Sequence, residues 1–161
     1  MACFKNYRLP RNFNPSFTAY TDGGYVIPIG IGASACIIID KNNEIIHTWS
    51  KASRNSTNNR QELAAIIHAV LHTPMNYDVL IISDSKYAMG VLSGCNNAKT
   101  NHDLIDYYCK FVLERNIRVG FKWVRGHNGD KWNEAVDAMC TEAIEENNPA
   151  NKTFSKFYLD Y

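Results

Sequence analysis

Four carboxylates in this chain of 161 residues each lie inside a short polar motif beside an apolar segment. They are Asp22, Glu62, Asp84 and Asp137. Carboxylates are hard oxygen ligands, and four of them in one place repel one another strongly unless a divalent cation neutralises them. The set therefore predicts a Mg²⁺ or Mn²⁺ site and a metal-assisted hydrolysis.

A histidine accompanies the fourth acid, because His127 lies in a glycine-bearing loop shortly before Asp137. In that position a histidine could shuttle protons or help a product to leave, and a surface histidine without a role is an equal alternative. The spacing of the other histidines does not match a metal-ligand pattern, so no metal role is predicted for His47, His68, His72 and His102.

Each acid also has a simpler interpretation when it is taken alone. Asp22 could be a turn residue, and Asp84 could cap the next helix. Glu62 would suit the positive end of a helix dipole, and Asp137 could be a solvated helix position. Because all four motifs are crowded with amides, hydroxyls and glycines, a shared site is the better interpretation.

Composition limits the class of protein. The 17 basic and 16 acidic residues nearly balance, which argues against a protein that binds nucleic acid mainly through non-specific charge. The five cysteines are widely spaced without a CxxC pair, so we expect free thiols rather than a zinc site or disulfides. Without a signal peptide or a membrane-length apolar run, we expect a cytoplasmic protein with no membrane partner.

The apolar pattern predicts an α/β domain with the element order βββαβααβα. The predicted strands are residues 17–21, 31–40, 44–50, 77–83 and 117–124, with Gly23 and Gly24 ending the first one. The predicted helices are residues 60–72, 85–92, 103–115 and 132–146, and Thr57 or Asn58 could cap the first one. We expect residues 1–15 to form an irregular N-terminal arm, 16–146 the catalytic domain and 147–161 a C-terminal tail, in which aromatic residues could dock on the domain.

These elements would bring the acids together. If the first and fourth strands are neighbours, Asp22 and Asp84 project from one sheet edge, and Glu62 lies early in a helix crossing it. Two metal ions about 3.5–4 Å apart could then activate a water and stabilise the leaving oxygen of a phosphoryl displacement. Gly23 and Gly24 would let a sugar-phosphate backbone approach closely.

Four blocks together resemble the motifs of type 1 ribonuclease H. They are Thr-Asp-Gly-Gly at 21–24, Thr-Asn-Asn-Arg-Gln-Glu-Leu at 57–63, Ser-Asp-Ser-Lys-Tyr at 83–87, and Trp-Val-Arg-Gly-His-Asn at 123–128 followed by Asn-Glu-Ala-Val-Asp at 133–137. The resemblance covers about residues 16–146. It implies the ribonuclease H-like fold, with a five-stranded mixed sheet of three antiparallel and then two parallel strands flanked by helices.

The resemblance also implies the activity, which is endonucleolytic cleavage of the RNA strand of an RNA/DNA hybrid. Two Mg²⁺ ions would be required, with Mn²⁺ as a substitute, and the products would carry 5′-phosphate and 3′-hydroxyl ends. In this family the four acids bind the metal ions, and the histidine that corresponds to His127 assists turnover.

The resemblance assigns substrate contacts as well. Thr57 matches a residue that contacts a DNA-strand phosphate, and Asn58 and Asn59 match paired asparagines that reach into the minor groove; a plain helix cap is their alternative. Lys86 stands where some relatives carry an amide, and could meet a phosphate or face solvent. Gly24 stands where serine is common.

The chain departs from many cellular relatives between Asp84 and His127, where the segment is neither strongly basic nor rich in tryptophan. A basic protrusion is therefore predicted to be shortened or absent, which would make hybrid binding weaker and more salt-sensitive. Lys5, Arg8 and Arg11 could add phosphate contacts, although a disordered, solvated arm is the favoured expectation.

Three other interpretations remain open. One is a catalytically silent nucleic-acid-binding module of the same fold, although such a module has no need for four mutually repelling acids. Another is a related nuclease of this superfold, which would place its acids in other motifs. The third is a ribonuclease H that works beside a polymerase. We expect a monomer, so a reverse transcriptase or replication protein would have to act in trans.

Overall fold

The computed structural model describes Tyr7 and residues 9–150. The elements are β1 (Phe17–Val26), a 3-10 turn (Ile27–Ile29), β2 (Ile31–Asp40), β3 (Ile45–Arg54), α1 (Asn58–His72), β4 (Asp78–Ser83), α2 (Lys86–Leu92), α3 (His102–Glu114), β5 (Arg118–Trp123) and α4 (Lys131–Asn147). The predicted docking of the tail through Phe154, Phe157, Tyr158 and Leu159 lies outside the described residues, as do Lys5 and Arg8 of the arm.

The strands form one sheet in the order β3-β2-β1-β4-β5. The pairs β1–β2 and β2–β3 are antiparallel, whereas β1–β4 and β4–β5 are parallel. This arrangement confirms the predicted ribonuclease H-like fold and the order βββαβααβα. No helix in the described part of the chain is both long and apolar enough to cross a membrane.

Side chains alternate between the two faces of the sheet and bury a core on each. Ile38 and Ile81 pack against Ile66 of α1 on one face. Ile37 and Ile82 pack against Val136 of α4 on the other face. This alternation follows from the two-residue period of a strand. The sheet is therefore covered on both sides, and α1 and α4 can present side chains to it from opposite faces.

The strand β1 runs past the predicted end at Thr21. It continues through both glycines to Val26 because β2 supplies backbone partners along its whole length, including Ser34 opposite Gly23. A Cβ atom at Gly23 would collide with the backbone of α1 at Gln61. Gly23 is therefore a packing requirement within a strand and not the strand terminator that the sequence predicted.

Side-chain caps fix where α1 and α4 begin. Thr57 Oγ1 accepts a hydrogen bond of 3.1 Å from the backbone N–H of Arg60, which confirms the predicted cap. Asp130 caps α4 in the same way by accepting from the backbone N–H of Asn133 at 2.8 Å. These caps set the helical phase of Glu62 and of Asp137.

The described part of the N-terminal arm packs on β5, contrary to the favoured expectation of a solvated arm. Tyr7 is buried with its ring centroid 6.1 Å from that of Phe121. The guanidinium of Arg118 donates to the carbonyl oxygens of Arg11 at 2.7 Å and Asn12 at 3.1 Å. The arm thus covers an edge strand that would otherwise expose apolar surface.

Candidate active site

Three of the four predicted acids converge at the carboxyl end of β4. One carboxylate oxygen each from Asp22, Glu62 and Asp84 lies within 4.8 Å of the other two. Asp22 is contributed by β1 and Asp84 by the segment directly after β4, and these two strands are parallel neighbours. Glu62 reaches them from α1, which packs closely on Gly23. The arrangement expected from the sequence is therefore present for these three residues.

Asp137 and His127 lie together beside this cluster. Burial is the main cause that raises the pKa of Asp22, and Asp137 adds to it through its charge and a hydrogen bond between the two side chains. His127 Nδ1 lies 3.9 Å from Asp137 Oδ2, and the histidine side chain is 83% exposed. Asp137 is half-exposed, so these two residues form the solvent side of the site.

Burial and mutual repulsion disturb the protonation of the acids. Burial, with smaller contributions from Asp84 and Asp137, raises the pKa of Asp22 to about 8. Burial and then the charges of Asp22 and Asp84 raise the pKa of Glu62 to about 10. The pKa of Asp84 is raised as well, chiefly by burial. Without a cation, Asp22 and Glu62 therefore hold protons near neutral pH, which relieves the repulsion.

The donor set fits a hard divalent cation. Glu62 Oε2 is buried and accepts no hydrogen bond from the described residues. A buried oxygen without a partner is unfavourable by roughly 1–3 kcal/mol, and more for a charged group, unless something else satisfies it. The three converging donors are all carboxylates, the ligand type that Mg²⁺ and Mn²⁺ prefer. A bound divalent cation would therefore satisfy Glu62 and neutralise its neighbours.

Several supporting residues were not assigned roles from the sequence. A Cβ atom at Gly126 would lie 2.7 Å from Asp84 Oδ2, so a glycine lets the loop after β5 approach this acid. Trp123 Nε1 donates to the Asp84 carbonyl at 3.0 Å, and Cys140 Sγ lies 3.4 Å from the Asp22 carbonyl. Gly126 and Trp123 belong to the sequence block around His127, so that motif was the signal that could have pointed to their roles.

The residue before Glu62 is held by two serines. Ser34 Oγ lies 2.7 Å from Gln61 Oε1, and Gln61 Nε2 donates to Ser56 Oγ at 2.7 Å. These contacts tie the first turn of α1 to β2 and to the loop before the helix. They hold the backbone that carries Glu62, and only the tertiary structure reveals them.

The predicted substrate-contacting residues differ in accessibility. Thr57, Asn58 and Asn59 are exposed at the start of α1, and the nearest atom to a Cβ at Gly24 would be Asn58 Oδ1 at 4.0 Å. Gly24 and the asparagines therefore form one accessible surface, whereas Gly23 is covered by α1. Lys86 is also exposed, and its Nζ lies 4.5 Å from the centroid of the Trp123 ring.

Comparison with known proteins agrees with this arrangement. A family model described as RNase H matches residues 14–145. The Ribonuclease H of Anaeromyxobacter dehalogenans is 32% identical over 146 residues, which cover 79% of each chain. The Ribonuclease HI of Synechocystis sp. is 31% identical over 159 residues, covering 88% of this chain and 96% of the relative.

A third relative extends over most of both chains. The Ribonuclease H of Orientia tsutsugamushi is 32% identical over 168 residues, covering 92% of this chain and 98% of the relative. The family match spans the whole region that contains the acid cluster, His127 and the start of α1. With its sheet order, its converging acids and these similarities, the chain belongs to the ribonuclease H family of enzymes.

Proposed function

We propose that this protein hydrolyses the RNA strand of RNA/DNA hybrids endonucleolytically. The observation that carries the proposal is the convergence of Asp22, Glu62 and Asp84 within 4.8 Å beside an accessible polar surface. The relatives named Ribonuclease H and Ribonuclease HI support the same substrate class. Products with 5′-phosphate and 3′-hydroxyl ends are part of the proposal.

We assign Asp22, Glu62, Asp84 and Asp137 as the residues that hold two Mg²⁺ ions, with Mn²⁺ as a substitute. When bound, such ions supply an activated water and stabilise the leaving oxygen of an in-line phosphoryl displacement. The buried pair Asp22 and Glu62 supplies donors that are shielded from solvent, whereas half-exposed Asp137 leaves the other side of the site open to a substrate.

We assign His127 to proton transfer or product release. Its side chain is 83% exposed, and the Asp137 carboxylate 3.9 Å away can orient the ring. An imidazole that is open to solvent is suited to proton transfer as a general acid or base. His127 thus acts at the open side of the site, away from buried Glu62.

Hybrid recognition is assigned to the surface formed by Gly24, Thr57, Asn58 and Asn59, together with Lys86. Side-chain amides can read base edges and 2′-hydroxyls in a minor groove without sequence preference, and only RNA offers a 2′-hydroxyl. Lys86 is suited to a phosphate contact because its ammonium is exposed over Trp123. Gly23, which the sequence also assigned to this surface, is buried against the backbone of α1 at Gln61, so we leave it out of the proposed contact surface.

We further propose that residues 16–146 are the catalytic domain and that the protein works as a monomer. Any reverse transcriptase or replication protein would then join it in trans. The described arm residues 9–15 would support β5 and not the substrate, because Arg118 holds the carbonyl groups of Arg11 and Asn12.

The test is a cleavage assay on four matched duplexes: RNA/DNA, DNA/DNA, RNA/RNA and DNA with one embedded ribonucleotide. Each is incubated with Mg²⁺, Mn²⁺ or EDTA, and phosphatase sensitivity identifies the product ends. Asp84→Asn is the inactive variant, and Asp106→Asn, at an exposed position of α3, is its matched control. We expect metal-dependent cleavage of the RNA strand in the hybrid, lost only in Asp84→Asn.

Two results would contradict the proposal. Hybrid binding without cleavage by folded wild-type protein in any metal would favour the silent binding module. Cleavage of DNA/DNA at a comparable rate would favour a related nuclease of the same superfold.

A further inference from the structure

A second cluster of metal-ligating side chains lies between β2, β3 and α1. It consists of Cys36, His47 and His68, and one donor atom from each lies within 4.8 Å of the other two. Each residue comes from a different element, so no spacing along the chain indicates the cluster. The fold thus assembles a thiol and two imidazoles for which the sequence predicted no metal role.

The cluster is built into the side of the core. Cys36 is fully buried at its inner end. His47 and His68 are half-buried, and their Nε2 atoms are 3.0 Å apart. An ion could therefore reach the thiol from the side of the two imidazole rings.

Stacked rings restrict the orientation of the two imidazoles. The ring of Trp49 stacks on His68 with centroids 3.7 Å apart, and His72 stacks on His68 at 4.0 Å and on His47 at 4.3 Å. His72 Nδ1 lies 3.0 Å from the His68 carbonyl oxygen, which anchors this outer ring. The donors are thus held by packing before any ion arrives, an arrangement that lowers the entropic cost of binding.

We propose that Cys36, His47 and His68 form a binding site for a borderline-soft transition metal ion, with Zn²⁺ as the favoured occupant. A thiolate and two imidazoles select Zn²⁺ over Mg²⁺, which requires oxygen ligands. Three protein ligands leave a fourth tetrahedral position for water. This site is chemically distinct from the acid cluster, whose three converging donors are all carboxylates.

The geometry requires only local adjustment. Tetrahedral Zn²⁺, with Zn–N about 2.0–2.1 Å and Zn–S about 2.3 Å, holds its donors roughly 3.3–3.6 Å apart. The Nε2 atoms of His47 and His68, which are 3.0 Å apart, must separate slightly. The Cys36 sulfur, which lies within 4.8 Å of the imidazole donor atoms, must move closer to them.

Binding has a defined proton balance. As the sulfur–zinc bond forms, the Cys36 thiol releases its proton to solvent, whereas both histidines bind as neutral rings. The bound ion would link β2, β3 and α1, and it would stabilise the fold by mass action.

The competing explanation is a hydrogen bond between neutral imidazoles. One Nε2 would donate and the other would accept at the observed 3.0 Å, with no ion involved. Zn²⁺ affinity separates the two explanations, because a hydrogen-bonded pair buried for packing alone does not select a soft metal.

The experiment is a calorimetric titration of chelator-treated, full-length protein with Zn²⁺ in excess Mg²⁺, accompanied by thermal melts. Excess Mg²⁺ competes for the acid cluster and not for the thiol and imidazoles. We expect one Zn²⁺ per chain and a higher melting temperature. Co²⁺ in place of Zn²⁺ should give the charge-transfer absorption of a cobalt–thiolate bond.

Substitutions of the proposed ligands test which residues bind the ion. His47→Gln and Cys36→Ser should each weaken Zn²⁺ binding by more than the roughly 10–100-fold that loss of an outer partner produces, and Cys36→Ser should remove the charge-transfer band. His102→Gln and Cys109→Ser are the matched controls, because both residues are exposed and outside the cluster. His47 lies half-buried on the edge strand β3, so its variant tests the site even if replacing buried Cys36 impairs folding.

The proposal is overturned if Zn²⁺ shows no saturable binding in excess Mg²⁺, or if His47→Gln binds it as tightly as the wild type. Either result would assign His47 and His68 to a hydrogen-bonded core pair. Because the readouts are metal affinity and melting temperature, they are independent of whether the protein cleaves a hybrid.

Discussion

Burial raises the pKa of Glu62 on α1, and the charges of Asp22 on β1 and then Asp84 raise it further, to about 10. Glu62 and Asp22 lie on different elements, yet their carboxylates belong to one cluster with Asp84. The fold therefore holds a group of acids whose mutual repulsion a divalent cation would relieve.

Removing one of these charges should abolish activity and stabilise the metal-free protein. We expect Asp22→Asn to lower the cleavage rate by at least about 10²–10³-fold, the scale on which one charge-stabilising group acts. In EDTA at neutral pH its melting temperature should rise by roughly 2–4 °C for each kcal/mol gained, because an asparagine, unlike Asp22, does not have to take up a proton on folding. Asp106→Asn should change neither quantity, and near-wild-type turnover of Asp22→Asn would refute the assignment of this ligand.

The stability of the metal-free protein should decrease as the pH rises. Folding raises the pKa of Asp22 from 3.8 to about 8 and that of Glu62 from 4.5 to about 10, so the folded state binds more protons than the unfolded state between these values. Their stabilising contribution is complete below about pH 4 and is lost as the pH rises through about 8–10.

Two other acids act in the opposite direction. Asp103 pairs with Arg60 and Asp78 pairs with Arg118, and these ion pairs lower the pKa values of the two acids. The stability that the two pairs contribute is therefore lost when the pH falls below the ordinary value of 3.8. Thermal melts in EDTA across this range should therefore give a maximum on the acidic side of neutrality. Mg²⁺ should flatten the decline at higher pH, and a metal-free protein that is most stable above pH 8 would contradict the raised pKa values.

Replacing the exposed histidine should slow turnover without disturbing the metal site. His127→Ala is expected to reduce the rate by up to about 10²–10⁴-fold, the range for an accessory acid or base. Because the side chain is 83% exposed, the melting temperature and Mg²⁺ affinity should remain those of the wild type. Loss of metal binding in this variant would instead make His127 a ligand.

The two adjacent glycines should respond very differently to the same substitution. Gly23→Ala forces a methyl group into the backbone of α1 at Gln61 and should destabilise the fold by at least about 1–3 kcal/mol. Gly24→Ala meets nothing closer than Asn58 Oδ1 at 4.0 Å, so its melting temperature should be nearly unchanged. Denaturant unfolding of both variants measures this difference, and equal stabilities would refute the packing role of Gly23.

Gly24→Ala is also expected to affect binding of the hybrid, independently of its effect on stability. A methyl group beside Asn58 should reduce hybrid affinity if this surface contacts the substrate. Hybrid binding by Gly24→Ala in Ca²⁺, measured without turnover, checks this expectation. Unchanged affinity would remove Gly24 from the proposed contact surface.

The sequence by itself predicted the fold class, the element order and the residues of the acid cluster. These depend on local signals, because apolar periodicity defines strands and helices, and Thr57 could be recognised as a cap before α1. The order of elements then limits which strands can be neighbours, so Asp22 and Asp84 could be expected at one edge of the sheet.

Only the tertiary structure decided what depends on contacts between distant segments. It extended β1 through Gly23, packed Tyr7 on Phe121 and brought Gly126 against Asp84. It also assembled Cys36, His47 and His68, whose chain spacing carries no metal signal. Only the folded chain decides which strands pair, where the backbone approaches a side chain closely and which ligands converge. Each of these features brings together residues that are far apart in the sequence, so no local pattern connects them.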